Sequence, residues 1–149
     1  MATTILFVCN DNAGLSPMAE ACLNAISDGT IRAFSAGLAP AGHLAPATAR
    51  VLAENGISCG DLVPKSWELF ALPHAPSPDI IVALTPGVAA ATARVWPWPA
   101  RHASWPLEPC GPASSALQEA RSVFATLRRD IEMRFAGCGI DPCIRRRSA

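Results

Sequence analysis

Cys9 closes the apolar run Ile5-Leu6-Phe7-Val8, and Ser16-Pro17 follows after the short segment Asn10-Asp11-Asn12-Ala13-Gly14-Leu15. A thiol becomes a nucleophile when its thiolate is stabilised. A tight loop between a strand end and a helix start offers that, because backbone N–H groups there converge on a point where negative charge is favoured. The spacing predicts an anion-binding loop made of Asn10, Asp11, Asn12, Ala13, Gly14, Leu15 and Ser16, with Cys9 at its root. Asp11 works against that chemistry. A carboxylate on such a loop opposes an anionic ligand and raises the pKa of a neighbouring thiol.

The elements that must hold this loop are legible on both sides. Ile5 to Val8 is β-branched and aromatic, as in a parallel strand buried on both faces, so strand one is placed at Thr3 to Val8. Ser16 is read as N-cap of the next helix, with Pro17 at its first position and Glu20 following in its first turns. That helix runs to Ile26, with Met18, Ala19, Cys22, Leu23 and Ile26 on one stripe. Alternation continues: strand two at Ile31 to Ala36, a helix from Pro46 to Asn55 stopped by Gly56, and strand three at Asp79 to Leu84. A short helix follows from Pro86 to Arg94, and a fourth strand is started at Val95 and cut short by prolines. The longest helix runs from Ser114 to Phe135, carries Leu117, Ala120, Val123, Phe124, Leu127 and Ile131 at helical spacing, and ends at Gly137. Strands alternating with helices predict an α/β fold with a parallel sheet. The proline-rich segments Leu72 to Pro78 and Pro97 to Pro112 are read as ordered loops at the carboxyl edge of that sheet, where such folds place ligands.

The segment Val8 to Glu20 resembles the signature of the low-molecular-weight protein tyrosine phosphatases and the related thioredoxin-coupled arsenate reductases, Val-Cys-x-Gly-Asn-x-Cys-Arg-Ser-Pro-Met-Ala-Glu. Val8, Cys9, Asn12, Ser16, Pro17, Met18, Ala19 and Glu20 match in register. Phe34-Ser35-Ala36-Gly37 with the following helix, Lys65-Ser66, the strand Ile80 to Leu84 and the last long helix resemble later parts of the family in the same order. The resemblance implies a three-layer α/β/α fold, low-molecular-weight phosphatase-like, with a four-stranded parallel sheet in a single domain over residues 1–149. It implies that Cys9 is the nucleophile, that Ser16 supports its thiolate, and that Glu108, in Trp105-Pro106-Leu107-Glu108-Pro109, stands where the family has its general-acid aspartate.

Three departures fall on the chemistry. Leu15 occupies the place of the family's arginine, Asp11 that of its loop glycine, and Gly14 that of its second loop cysteine. An aliphatic side chain cannot offer a cationic fork to an oxyanion. The relay cysteine of the reductase branch corresponds to Thr85, and no cysteine occurs from there to Thr92. The tyrosines of the phosphatase branch are missing, since the chain has none.

At 149 residues, half of them apolar and with formal net charge zero, the chain has the size to bury a core. It offers no bulk electrostatic attraction to nucleic acid or to an acidic membrane. No run reaches transmembrane length, and the N-terminus lacks the basic flank of a signal peptide, so a soluble cytoplasmic protein is expected. The six cysteines show no metal-ligand spacing with His43, His74 or His102, so neither metal nor cofactor is expected. Cys138 and Cys143 are read as surface thiols, with pairing under oxidation as the alternative; Arg145-Arg146-Arg147 is read as a solvated tail, and Trp96, Trp98 and Trp105 as packing. The expected function is that of a diverged, weak or inactive family member whose loop binds a small oxyanion, a phosphorylated ligand or a protein partner. The alternative is an active phosphatase on phosphotyrosine or a small phosphate ester, or an arsenate reductase. It would use Cys9 as nucleophile and Glu108 as general acid, with Arg101, His102 or an external cation replacing the arginine.

Overall fold

The computed structural model describes residues 3–85, 87–88, 90, 100–105 and 115–135. Glu108, Cys110, Cys138, Cys143, Val95, Trp96, Trp98 and most of the 86–94 segment lie outside the described residues. Four strands, β1 (Thr3–Cys9), β2 (Ile31–Gly37), β3 (Ile80–Ala83) and β4 (Arg101–Ser104), form one sheet in the order β2-β1-β3-β4. All three pairings are parallel. β1 is therefore interior, with β2 on one side and β3 on the other, so the direction of winding reverses beside it. In open α/β sheets the crevice beyond the carboxyl end of such a strand is the ligand site, and Cys9 is the last residue of β1.

The sheet buries both faces, which is why β1 reads as an unbroken apolar run. Ile5, Phe7 and Cys9 face a core shared with helices α1 (Leu15–Ile26), α2 (Pro46–Glu54) and α3 (Ala116–Phe135). Leu6 and Val8 face the opposite side, against Ala36, Ile81, Ala83, Val88 and Phe70 of the 3-10 turn Trp67–Ala71. Leu127 and Ile131 of α3 are fully buried, and Arg121 of α3 grips Glu54 of α2 with two nitrogens at 2.8–3.2 Å. Ser115 caps α3, its hydroxyl accepting from the N–H of Gln118 at 3.2 Å.

Two expectations are corrected. The fourth strand lies at Arg101–Ser104, inside the segment read as a proline loop. It is an edge strand whose residues alternate half-buried and exposed, so it lacks the apolar run that marks the central strands. Helix α1 starts at Leu15, not after Ser16, and its cap residue Gly14 makes no side-chain cap bond. Ser16 lies in the first helical turn, fully buried, with its hydroxyl engaged elsewhere.

Candidate active site

Cys9 and Ser16 face each other across the loop, Sγ to Oγ, at 2.9 Å, with both residues buried. The backbone N–H groups of Ser16 and Asn12 also point at the Cys9 sulfur. Pro17 continues the helix directly behind this contact and is buried. Ser16 lies inside the helix, and its hydroxyl is engaged by the Cys9 sulfur and by Asn12 Nδ2 at 2.8 Å.

Asn12 sets the shape of the loop. It takes φ of 51°, a left-handed conformation that asparagine tolerates better than most residues. Its Nδ2 donates to Ser16 Oγ at 2.8 Å and to Ser35 Oγ at 3.0 Å, while its Oδ1 accepts from the N–H of Lys65 at 2.9 Å. One buried side chain thereby joins the loop to β2 and to the strand-like bridge at Ser66. The loop carbonyls of Cys9, Asn10, Asp11 and Ala13 accept from the N–H groups of Leu38, Ala39, Ala41 and Ala45 at 2.8–3.1 Å. Gly37 makes the close approach possible: a Cβ there would stand 2.8 Å from the carbonyl of Asn10 and 2.9 Å from the nitrogen of Asn12. Ser35, Gly37 and Lys65 were visible in the sequence only as landmarks. Nothing local marks them as loop supports, because their partners lie 23 and 53 residues away.

The substituted positions are placed differently. Asp11 is exposed, yet its Oδ1 accepts from the Ala13 N–H at 3.0 Å and lies 3.7 Å from Cys9 Sγ. Leu15 is half-buried and packs on the core beside α1, α2 and α3. A Cβ at Gly14 would meet only Thr48 Oγ1, at 3.9 Å, so packing does not forbid a cysteine there. Thr85, following β3, has a buried Oγ1 with no hydrogen-bond partner among the described residues.

Electrostatics at the thiol run uphill. Burial pushes the Cys9 thiol above its ordinary value, the hydrogen bonds from Ser16 and the N–H groups of Ser16 and Asn12 pull it back, and the Asp11 carboxylate adds a further upward push. Burial, not Asp11, is the larger cause. One turn along α1, Glu20 is raised by burial, partly offset by Lys65 and by hydrogen bonds from Ser35. Glu20 is thus coupled to the same polar group through Ser35.

The cations considered as substitutes for the arginine lie too far back along β4. Val8 is level with Ala83, and Ala83 with Ser104, whereas His102 pairs with Ile81 and Arg101 with Ile80. Relative to Cys9 they sit three and four residues toward the opposite edge of the sheet, about 10 and 13 Å at strand rise. His102 is on a strand, not on a loop. His43 does lie on the segment that hydrogen-bonds the loop, exposed, with Nδ1 3.1 Å from its neighbour's carbonyl, Leu44 O. Trp105 packs edge-on against Phe7. Among the described residues no group of three His, Cys, Asp or Glu side chains is placed to hold a metal ion, and no helix is long and apolar enough to cross a membrane.

Solved structures with this architecture include an arsenate reductase from Archaeoglobus fulgidus, 28% identical, TM-score 0.67, over 87% of this chain and 96% of that one. A low molecular weight protein tyrosine phosphatase from T. tengcongensis is 26% identical, TM-score 0.71, over 88% and 96%. A thioredoxin-dependent arsenate reductase from Corynebacterium glutamicum shares the fold at 22% identity and TM-score 0.63; 89% of this chain spans 61% of that protein's length. No curated protein matches the chain by sequence. The family pattern described as low molecular weight phosphotyrosine protein phosphatase matches residues 4–102, from β1 into β4. By that match, which includes the Cys9 loop and its supports, the chain belongs to the low molecular weight phosphotyrosine protein phosphatase family.

Proposed function

We propose that this chain is a catalytically quiescent member of its family, whose altered loop binds a small ligand or a protein partner without turning over phosphate esters. The observation that carries this is the place of Asp11. Its carboxylate takes the Ala13 N–H and stands beside the Cys9 sulfur, so the loop holds an anion of its own. An incoming dianion would meet that charge, a thiol raised above its ordinary value, and an aliphatic Leu15 packed into the core. Losing one transition-state donor costs a factor of roughly 10²–10³ in rate, and a bidentate cationic donor is worth at least as much. The cysteine-free stretch after β3 supports the further expectation that thioredoxin-coupled arsenate reduction does not exceed background.

The Cys9–Ser16 contact at 2.9 Å supports a second reading. In it the nucleophile and its hydroxyl partner are intact, and Glu108 supplies the proton as general acid. Steady-state hydrolysis of an aryl phosphate by the parent, Asp11→Gly, Leu15→Arg and the double variant separates the two. Quiescence requires a parent rate near background, a gain from Leu15→Arg, and a larger, non-additive gain in the double variant, because both changes act on one dianion. Robust parent turnover that Cys9→Ser abolishes would falsify the proposal.

A further inference from the structure

β2 is an edge strand of the sheet, and an edge strand presents a row of N–H and C=O groups with which another chain can pair. Here that row is taken by side chains of α1. The Asn24 amide lies against Ala33 as a neighbouring strand would: its Nδ2 donates to Ala33 O at 3.0 Å and its Oδ1 accepts from the Ala33 N–H at 2.8 Å. Toward the start of the strand, the Ser27 hydroxyl donates to Ile31 O at 2.6 Å and accepts from the Ile31 N–H at 3.3 Å. Toward its end, the Glu20 carboxylate accepts from the N–H and hydroxyl of Ser35, and the Gly37 N–H donates to Lys65 O at 2.9 Å. Glu20 and Asn24, with Ser27 at the C-cap, form one face of α1 matched to alternate residues of β2. Side chains, not the bulk of the fold, close this edge. A concave space of about 340 Å³ lined by Asn24, Ser27, Gly29, Ile31 and Arg32 stands open beside the strand, and Asn24 is exposed.

We propose that β2 is a latent pairing edge for a second copy of this chain, held shut by Asn24 and Ser27. The outward backbone groups belong to Ile31, Ala33 and Ser35, which are symmetric about Ala33. Opposed residues of an antiparallel pair can exchange both N–H···O bonds. The same strand from a second copy, run antiparallel about Ala33, sets Ala33 against Ala33 and Ile31 against Ser35, an isologous two-fold contact. The residues between suit it too. Arg32 falls opposite the second copy's Phe34, and within one chain the Arg32 guanidinium already lies over the Phe34 ring, 5.3 Å from its centroid, a favourable pairing. The α1 side chains and the second strand compete for the same backbone atoms, so only one of them can hold these atoms at a time.

The test is sedimentation velocity across a concentration series, with amide hydrogen exchange, on the parent, Asn24→Ala, Ser27→Ala and the double variant. The parent should show no concentration-dependent association through this edge. The double variant should form a dimer whose share rises with concentration. Each single variant should form less of it, and these keep the test readable should the double variant not fold. In dilute solution, exchange at the Ala33 N–H should quicken about fivefold in Asn24→Ala, as for one lost hydrogen bond. At high concentration the double variant should recover protection at Ile31 and Ala33, because the second copy takes those groups. Loss of the side-chain bonds alone gives the first effect and not the second. Adding Phe34→Lys to the double variant sets a second cation against Arg32 and should return it to the monomer. Variants with native circular dichroism that stay monomeric at every concentration would overturn the proposal. So would a dimer that leaves Ile31 and Ala33 unprotected, or one that persists with Phe34→Lys.

Discussion

Asn12→Ala should destabilise the protein more than any other single change in the loop, by an amount that follows from its contacts. The side chain makes three hydrogen bonds, to Ser16 Oγ, Ser35 Oγ and the N–H of Lys65. Each is worth about 1 kcal/mol net. Alanine must also hold the left-handed φ of 51°, which costs about 1 kcal/mol more for a residue without a locally bonding side chain. The sum is about 4 kcal/mol. For a domain of this size that corresponds to a fall in Tm of roughly 8–16 °C.

Asn12→Gly makes the same hydrogen-bond losses without the φ cost, so it should fall about 1 kcal/mol less far. Urea unfolding followed by tryptophan fluorescence reads all three proteins, with equal m-values confirming that the same transition is compared. Iodoacetamide labelling of Cys9, resolved by peptide mass spectrometry, supplies a second readout. A loosened loop exposes a sulfur that is 2% accessible in the parent residue, so labelling should accelerate in both variants. An Asn12→Ala protein within about 1 kcal/mol of the parent would refute the assignment of Asn12 as the residue that joins loop, β2 and Lys65.

Three further outcomes are expected. Asp11→Asn keeps an acceptor for the Ala13 N–H and removes the charge, so the pH midpoint of Cys9 labelling should move down, and an unmoved midpoint would remove Asp11 from the causes of the raised thiol. Glu20 is raised from 4.5 by burial, so the folded state binds its proton more tightly than the unfolded state does; stability must fall as pH rises from about that value through the raised one, and Glu20→Gln should flatten the slope in urea midpoints measured from pH 4 to 7. Gly37→Ala drives a Cβ to 2.8 Å from a backbone carbonyl, which should cost about 3 kcal/mol, the upper end for overpacking, and lower the midpoint of thermal unfolding measured by circular dichroism.

What the sequence made legible divides along physical lines. Ile5 to Val8 announced β1 because a strand buried on both faces must be apolar at every position. The loop was legible because its residues are contiguous and flanked by a strand and a helix. β4 was hidden, since an edge strand such as Arg101–Ser104 needs apolar residues on neither face throughout. Ser16-Pro17 fitted a helix start by pattern, yet the helix begins at Leu15 and the Ser16 hydroxyl meets the Cys9 sulfur at 2.9 Å; no local pattern encodes a tertiary partner. Ser35, Gly37 and Lys65 escaped for the same reason. The same division separates the residues that hold the loop from the others on it. The atoms that hold the loop are Asn12, Ser16, Ser35, Gly37 and the N–H groups of residues 38–45. Leu15, Asp11 and Gly14 are placed differently: Leu15 packs on the core, Asp11 is exposed, and Gly14 faces Thr48, whose Oγ1 a Cβ would meet at 3.9 Å. Asp11 contributes one bond to the loop, from the Ala13 N–H to its Oδ1, whereas the Leu15 side chain packs on the core and takes no part in the hydrogen-bond frame, so that frame places no constraint on the side chain at position 15.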